Sequence, residues 1–253
     1  MTVSFSADFM IALALAFARS IAWVAVCPPF SNVSIPVKLK VGLAGAIAFL
    51  SAGSLQHEVL PQSDAGVAVG MVVQVVVGGA LGYIVSVFVN VIVGAGSLID
   101  LFSGLNLPQA IDPLSQQQTP IFGQFYNLVL TALLFTTGSV TVIVDGFMKS
   151  FQAIGASLPP ISLGVMAQTV TSDVVTFFAA AVEIAAPVIV VLFGTQILLA
   201  LLAKAVPQIN VFVFGMPLQI TVALVAVSVA LAALPTDLSN MVGKAFAQLF
   251  GGL

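Results

Sequence analysis

The chain has 253 residues, of which 6 are Lys or Arg and 9 are Asp or Glu, so 6% are charged, against roughly 25% in an ordinary soluble domain. With 60% hydrophobic residues and a mean hydropathy of +1.21, it has too little polar surface to clothe a globule in water, so its surroundings must be largely lipid or other protein. A net charge of -3 with one Arg, one Trp and two Tyr excludes nucleic-acid binding, and a single Cys (Cys27) and a single His (His57) exclude an intrachain disulfide, an iron–sulfur cluster or a zinc site of N and S ligands.

Apolar runs between polar or Pro-containing breaks predict an all-α integral membrane protein of about six long hydrophobic helices. The first, about Asp8 to Cys27, stops at Pro28-Pro29; no Lys or Arg precedes its apolar core, so a retained membrane helix is expected. The second begins after Pro36 and ends near Ser54. Between Asp64 and Asp100 lie 35 residues without a charge; as one helix they would span about 52 Å, more than a hydrocarbon core of roughly 30 Å. Gly66 and Gly70, then Gly78 and Gly82, form GxxxG pairs on this segment, spacing that either lets helices approach closely or reflects a Gly-rich composition.

The stretch Gly104 to Pro120 follows, with Pro108, Pro113 and Pro120 and a Gln run that forbid one continuous helix. It is either an extramembrane loop or a segment that lines or closes a pore. A fourth segment is expected from about Pro120 to Val144, a fifth from Thr169 to Ala203 and a sixth from Asn210 to Ala233. Lys204 sits at the negative dipole end of the fifth helix and Pro207 stops it, so Lys204 to Asn210 reads as the turn of a helical hairpin, either a cap or a partner-docking tip. The tail Thr236 to Leu253 carries Leu238, Met241, Val242, Phe246, Leu249 and Phe250 at helical spacing, as an amphipathic surface helix would. Lys38, Lys40 and Lys204 against Glu58 and Asp64 favour an N-out path with six crossings, while Lys149 and Lys244 count against it.

Catalytic candidates are poor. His57-Glu58 is not HExxH, because Pro61 occupies the second His position, and Gly94-Ala95-Gly96-Ser97 lacks the full GxSxG pattern. No catalytic residue, cofactor site or metal site is assigned. Glu183, four residues before Pro187, is the candidate buried acid: either an ion site at a bent helix, as a small secondary transporter would use, or a residue at the end of its segment.

The order of several fragments resembles the FliR family, the membrane component of the flagellar protein-export gate, whose close relatives serve type III secretion injectisomes. The fragments are Arg19 ahead of Pro28; Ile35-Pro36-Val37-Lys38-Leu39-Lys40-Val41-Gly42-Leu43; Gly104-Leu105-Asn106 through Asp112-Pro113; Pro207-Gln208-Ile209-Asn210-Val211-Phe212; and Gly215-Met216-Pro217. The resemblance implies a helical gate assembled with FliP-like and FliQ-like subunits and an FlhB-like switch subunit in the bacterial inner membrane, at the flagellar basal body, passing unfolded polypeptides. It implies a FliP-like part, residues 1–150, and a FliQ-like hairpin with its tail, residues 151–253. It also implies that Gly104, Leu105, Asn106, Leu107, Ala110, Ile111, Asp112 and Pro113 belong to a plug in the export channel, and that the turn with Lys204, Pro207, Gln208 and Asn210 faces the FlhB-like partner. Leu107 and Ala110 stand where relatives often carry large aromatics.

Overall fold

The computed structural model describes residues 7–55, 60–61, 63–105, 120–155, 163–206, 210–232 and 234, with the side chains of 163–174 and 211–212 excepted. Every regular element among the described residues is an α-helix: α1 (Ala7–Val26), α2 (Val37–Leu55), α3 (Asp64–Ser103), α4 (Ile121–Thr136), α5 (Ser139–Ala153), α6 (Leu163–Ala205) and α7 (Val211–Ala230). Five of these regions are long and apolar enough to cross a membrane, and α4 with α5 make a sixth if counted as one broken span. The chain is an all-α integral membrane protein, as its composition implies.

Local chemistry sets the helix ends. Pro28-Pro29 follows α1 and supplies no N–H to continue it. Ser63 caps α3, its Oγ accepting from the Gly66 N–H at 3.1 Å. The single fourth helix expected from Pro120 to Val144 is instead two helices. The hydroxyls of Thr136 and Thr137 both donate to the Leu133 carbonyl, the Thr137 N–H bonds the same oxygen at 2.9 Å, and Gly138 turns the chain with φ of +74°. That is a glycine in the left-handed region just past a helix end, which an L side chain rarely tolerates. Pro187 and Pro217, by contrast, lie inside α6 and α7 without ending them.

The contacts divide the chain into two compact units. One comprises Met1–Val87, Gly138–Val170 and Phe246–Leu253, the other Phe88–Thr137 and Thr171–Ala245. In the first, α1 packs against α2, and α2 against α5. The GxxxG pair Gly78 and Gly82 is where α3 meets α1: a Cβ on Gly78 would run into the Arg19 carbonyl, and one on Gly82 would come within 3.0 Å of the Trp23 carbonyl oxygen.

Around this contact Arg19, fully buried, is saturated with acceptors. Its Nε donates to Gln74 Oε1, Nη1 to the Ser150 carbonyl at 3.0 Å, and Nη2 to the Ile154 and Gly155 carbonyls at 2.6 and 2.9 Å. Gln74 Nε2 donates to the same Gly155 carbonyl at 3.1 Å. The guanidinium lies 4.4 Å from the Phe151 ring centre, and Trp23 stacks on Phe147 at 4.3 Å. The cation therefore sits at the C-terminal end of α5, where unpaired carbonyls concentrate negative partial charge.

Candidate functional site

The candidate site is the base of the connection between α3 and α4, in the second unit. Of the residues expected to form the plug, Gly104 and Leu105 are described; Asn106, Leu107, Ala110, Ile111, Asp112 and Pro113 lie outside the described residues. Gly104 leaves α3 with φ of +79°, a conformation that favours glycine at this position.

The α4 side of the connection is held by Asp100. Pro120 stands at the N-cap of α4 and makes no side-chain cap. Asp100, fully buried on α3, takes that role from a distance: its Oδ1 accepts from the Phe122 N–H and its Oδ2 from the Gly123 N–H, each at 3.0 Å. A carboxylate over two N–H groups at a helix N-terminus satisfies donors with no intrahelical partner and meets the positive end of the dipole. The helices come close enough for this because both lack side chains at the crossing. A Cβ on Gly96 would lie 2.6 Å from the Phe122 carbonyl oxygen, and one on Gly123 2.9 Å from Ser97 Oγ.

Replacing Asp100 by alanine should leave two buried N–H groups without acceptors and destabilise the α3–α4 base by about 1–3 kcal/mol. Hydrogen exchange across residues 121–126 checks this: faster exchange confined to that stretch is expected, and unchanged exchange would refute the cap.

The α3 side is held by two amides. The Phe102 carbonyl, one of the last four of α3, accepts from Gln196 Nε2 on α6 at 3.0 Å and from Gln219 Nε2 on α7 at 2.8 Å. One oxygen with two lone pairs thus joins three helices. Near the far end of the hairpin, Lys204 is exposed in the last turn of α6. Asn210, also exposed, caps α7 by accepting from the Val213 N–H at 3.3 Å. Pro207 and Gln208 lie outside the described residues, as do His57, Glu58 and the tail 236–253.

Glu183 is exposed on α6 in the single chain, a placement that fits either an ion site completed by neighbours or a residue at its segment's end. The twenty or so apolar residues that follow it are enough for a span, leaving the carboxylate near that span's end. Cys27 is fully buried. Among the described residues no group of three or more His, Cys, Asp or Glu is placed to hold a metal ion.

Three contacts at the candidate site were not read from the sequence: the cap made by Asp100 and the bonds of Gln196 and Gln219. The available signal was their type. A carboxylate or amide in an otherwise apolar span needs a partner, although the sequence does not say which.

Residues 10–245 match the family described as Bacterial export proteins, family 1. The chain is 27% identical to the flagellar biosynthetic protein FliR of Bacillus subtilis, covering 92% of this chain and 91% of that protein. It is 27% identical to FliR of Escherichia coli, covering 81% and 78%. It is 24% identical to the secretion system apparatus protein SsaT of Salmonella typhimurium, covering 84% and 83%.

Proposed function

The chain belongs to the bacterial export proteins, family 1, and on that premise we propose that it is a non-enzymatic structural and gating subunit of a flagellar or type III protein-export channel. In this reading it works in the bacterial inner membrane, at the flagellar basal body, with FliP-like, FliQ-like and FlhB-like proteins, and unfolded polypeptides are what passes. Residues 1–150 form the FliP-like part and 151–253 the FliQ-like hairpin and tail. The connection Gly104 to Pro120 is the plug, and the turn Lys204 to Asn210 faces the FlhB-like partner.

The observation that carries the reading is the base of that connection. Asp100 and the Phe102 carbonyl fix its two ends with buried polar contacts, while Pro108, Pro113 and Pro120 deny it a regular spanning helix. An assembly is supported by helix length and surface. The 40-residue α3 and the 43-residue α6 run about 60 and 64 Å, twice a bilayer core, and large apolar side chains such as Phe193, Leu198 and Phe214 are 54%, 68% and 67% exposed in the single chain. Such surfaces need protein as well as lipid around them.

Expression alone should therefore yield aggregated or degraded chain, and co-expression with FliP-like and FliQ-like partners a discrete large complex on sizing in detergent. A monodisperse, folded monomer would contradict this. So would solute uptake by proteoliposomes holding this chain alone, the result a secondary transporter using Glu183 would give.

A further inference from the structure

We propose that Gln196 and Gln219 are positioning residues that tie the α6–α7 hairpin to the exit of α3, so that a displacement at the hairpin tip is felt at Gly104 and Leu105. The inference deepens the gating reading and rests on it for its consequence; the contact itself stands on the geometry.

The Phe102 carbonyl has no donor within α3, because it belongs to the last turn. Leaving it unpaired in an apolar environment is costly, and among the described residues its donors are on the hairpin: Gln196 Nε2 at 3.0 Å and Gln219 Nε2 at 2.8 Å. The two glutamines lie at matching levels of the hairpin. Gln196 precedes Lys204 by eight residues and Gln219 follows Asn210 by nine, distances of about 12 and 14 Å along the two helices. An open apolar groove between the same helices, lined by Pro187, Val191, Val222 and Val225, shows that they run side by side.

Two donors at one level, converging on one oxygen, respond together to a shift of the hairpin along its axis. A slide of about 2–2.5 Å across the bonds carries both past about 3.6 Å, beyond hydrogen-bonding range. The α4 end, held by Asp100, does not depend on them. The arrangement therefore lets the hairpin release one end of the connection while the other stays anchored.

The test is hydrogen exchange on the assembled complex, read across residues 101–105 and, as an internal reference, 121–126. Gln196→Met with Gln219→Met keeps side-chain length and removes both donors; exchange across 101–105 should rise about tenfold with 121–126 unchanged. Each single substitution should give about threefold, since one donor remains, and the single variants carry the test if the double one does not assemble. Lys204→Cys bearing a bulky maleimide should also speed exchange across 101–105 in the parent, and add nothing in the double variant. The buried Cys27 leaves residue 204 as the labelled thiol.

Unchanged exchange across 101–105 in the methionine variants would overturn the proposal, as would a tip label that acts equally in both backgrounds. If this inference fails while a shortened connection still opens the channel, the gating reading stands without it. If exchange responds as expected but shortening the connection opens nothing, the gating reading falls and the coupling remains.

Discussion

Arg19→Leu is expected to abolish recovery of the assembled complex, the largest loss of any single substitution considered. The side chain is fully buried, and its five N–H donors are directed at Gln74 and at the carbonyls of Ser150, Ile154 and Gly155. Leucine removes the donors: the Ser150 carbonyl keeps only the Ile154 N–H, and the Ile154 carbonyl loses the Arg19 donor. Gln74 then keeps Gly155 but loses the partner of its own oxygen. Each buried group left without a partner costs about 1–3 kcal/mol, a large share of the 5–15 kcal/mol that holds a typical domain folded. Arg19→Lys keeps the charge without the planar fork and should restore part of the yield. Complex yield and melting temperature in detergent measure both variants; an Arg19→Leu complex that assembles and melts like the parent would show that the network contributes little.

Much of the fold was legible because lipid imposes simple rules. Charge-free runs ending at Pro28, starting after Pro36 and starting at Asp64 became α1, α2 and α3 nearly as expected. The break at Gly138 was missed because Thr136-Thr137-Gly138-Ser139 interrupts a run that hydropathy alone treats as continuous. What ends α4 there is hydroxyl bonding to Leu133 and a left-handed glycine. The pair Gly78 and Gly82 was recognisable as a possible close contact, but its partner, the α1 backbone at Arg19 and Trp23, depends on tertiary approach.

The candidate site was legible only in outline. Pro108, Pro113 and Pro120 mark the connection, and Arg19 and the Pro207-Gln208-Ile209-Asn210 turn contribute to the family resemblance. The anchors are contacts between residues far apart in sequence: Asp100 reaches Phe122 and Gly123, and Gln196 and Gln219 reach Phe102 across 94 and 117 positions. No local pattern encodes such pairs.

Deleting Asn106 to Asp112 is expected to open the channel at rest without dismantling the complex. Assembly should survive because the anchors lie outside the deletion: Asp100 with Phe122 and Gly123, the Gly96–Gly123 crossing, and the Phe102 carbonyl with its two glutamines. Closure of the shortened connection is not strained. Asp100 brings the start of α4 to within hydrogen-bond distance of α3, and Pro113 to Pro120 can still reach about 26 Å. The deletion removes Leu107 and Ile111, apolar side chains able to exclude water, together with Asn106, Gln109 and Asp112, which can pair backbone groups freed by the prolines.

The most direct test is the ionic conductance of the assembled complex in a planar bilayer, parent against deletion, with no export substrate present. The account predicts a closed parent and a steadily conducting deletion complex of the same size in detergent. A deletion complex that assembles normally and stays as impermeable as the parent would contradict it, and would make Gly104 to Pro120 a connector between helices rather than a plug.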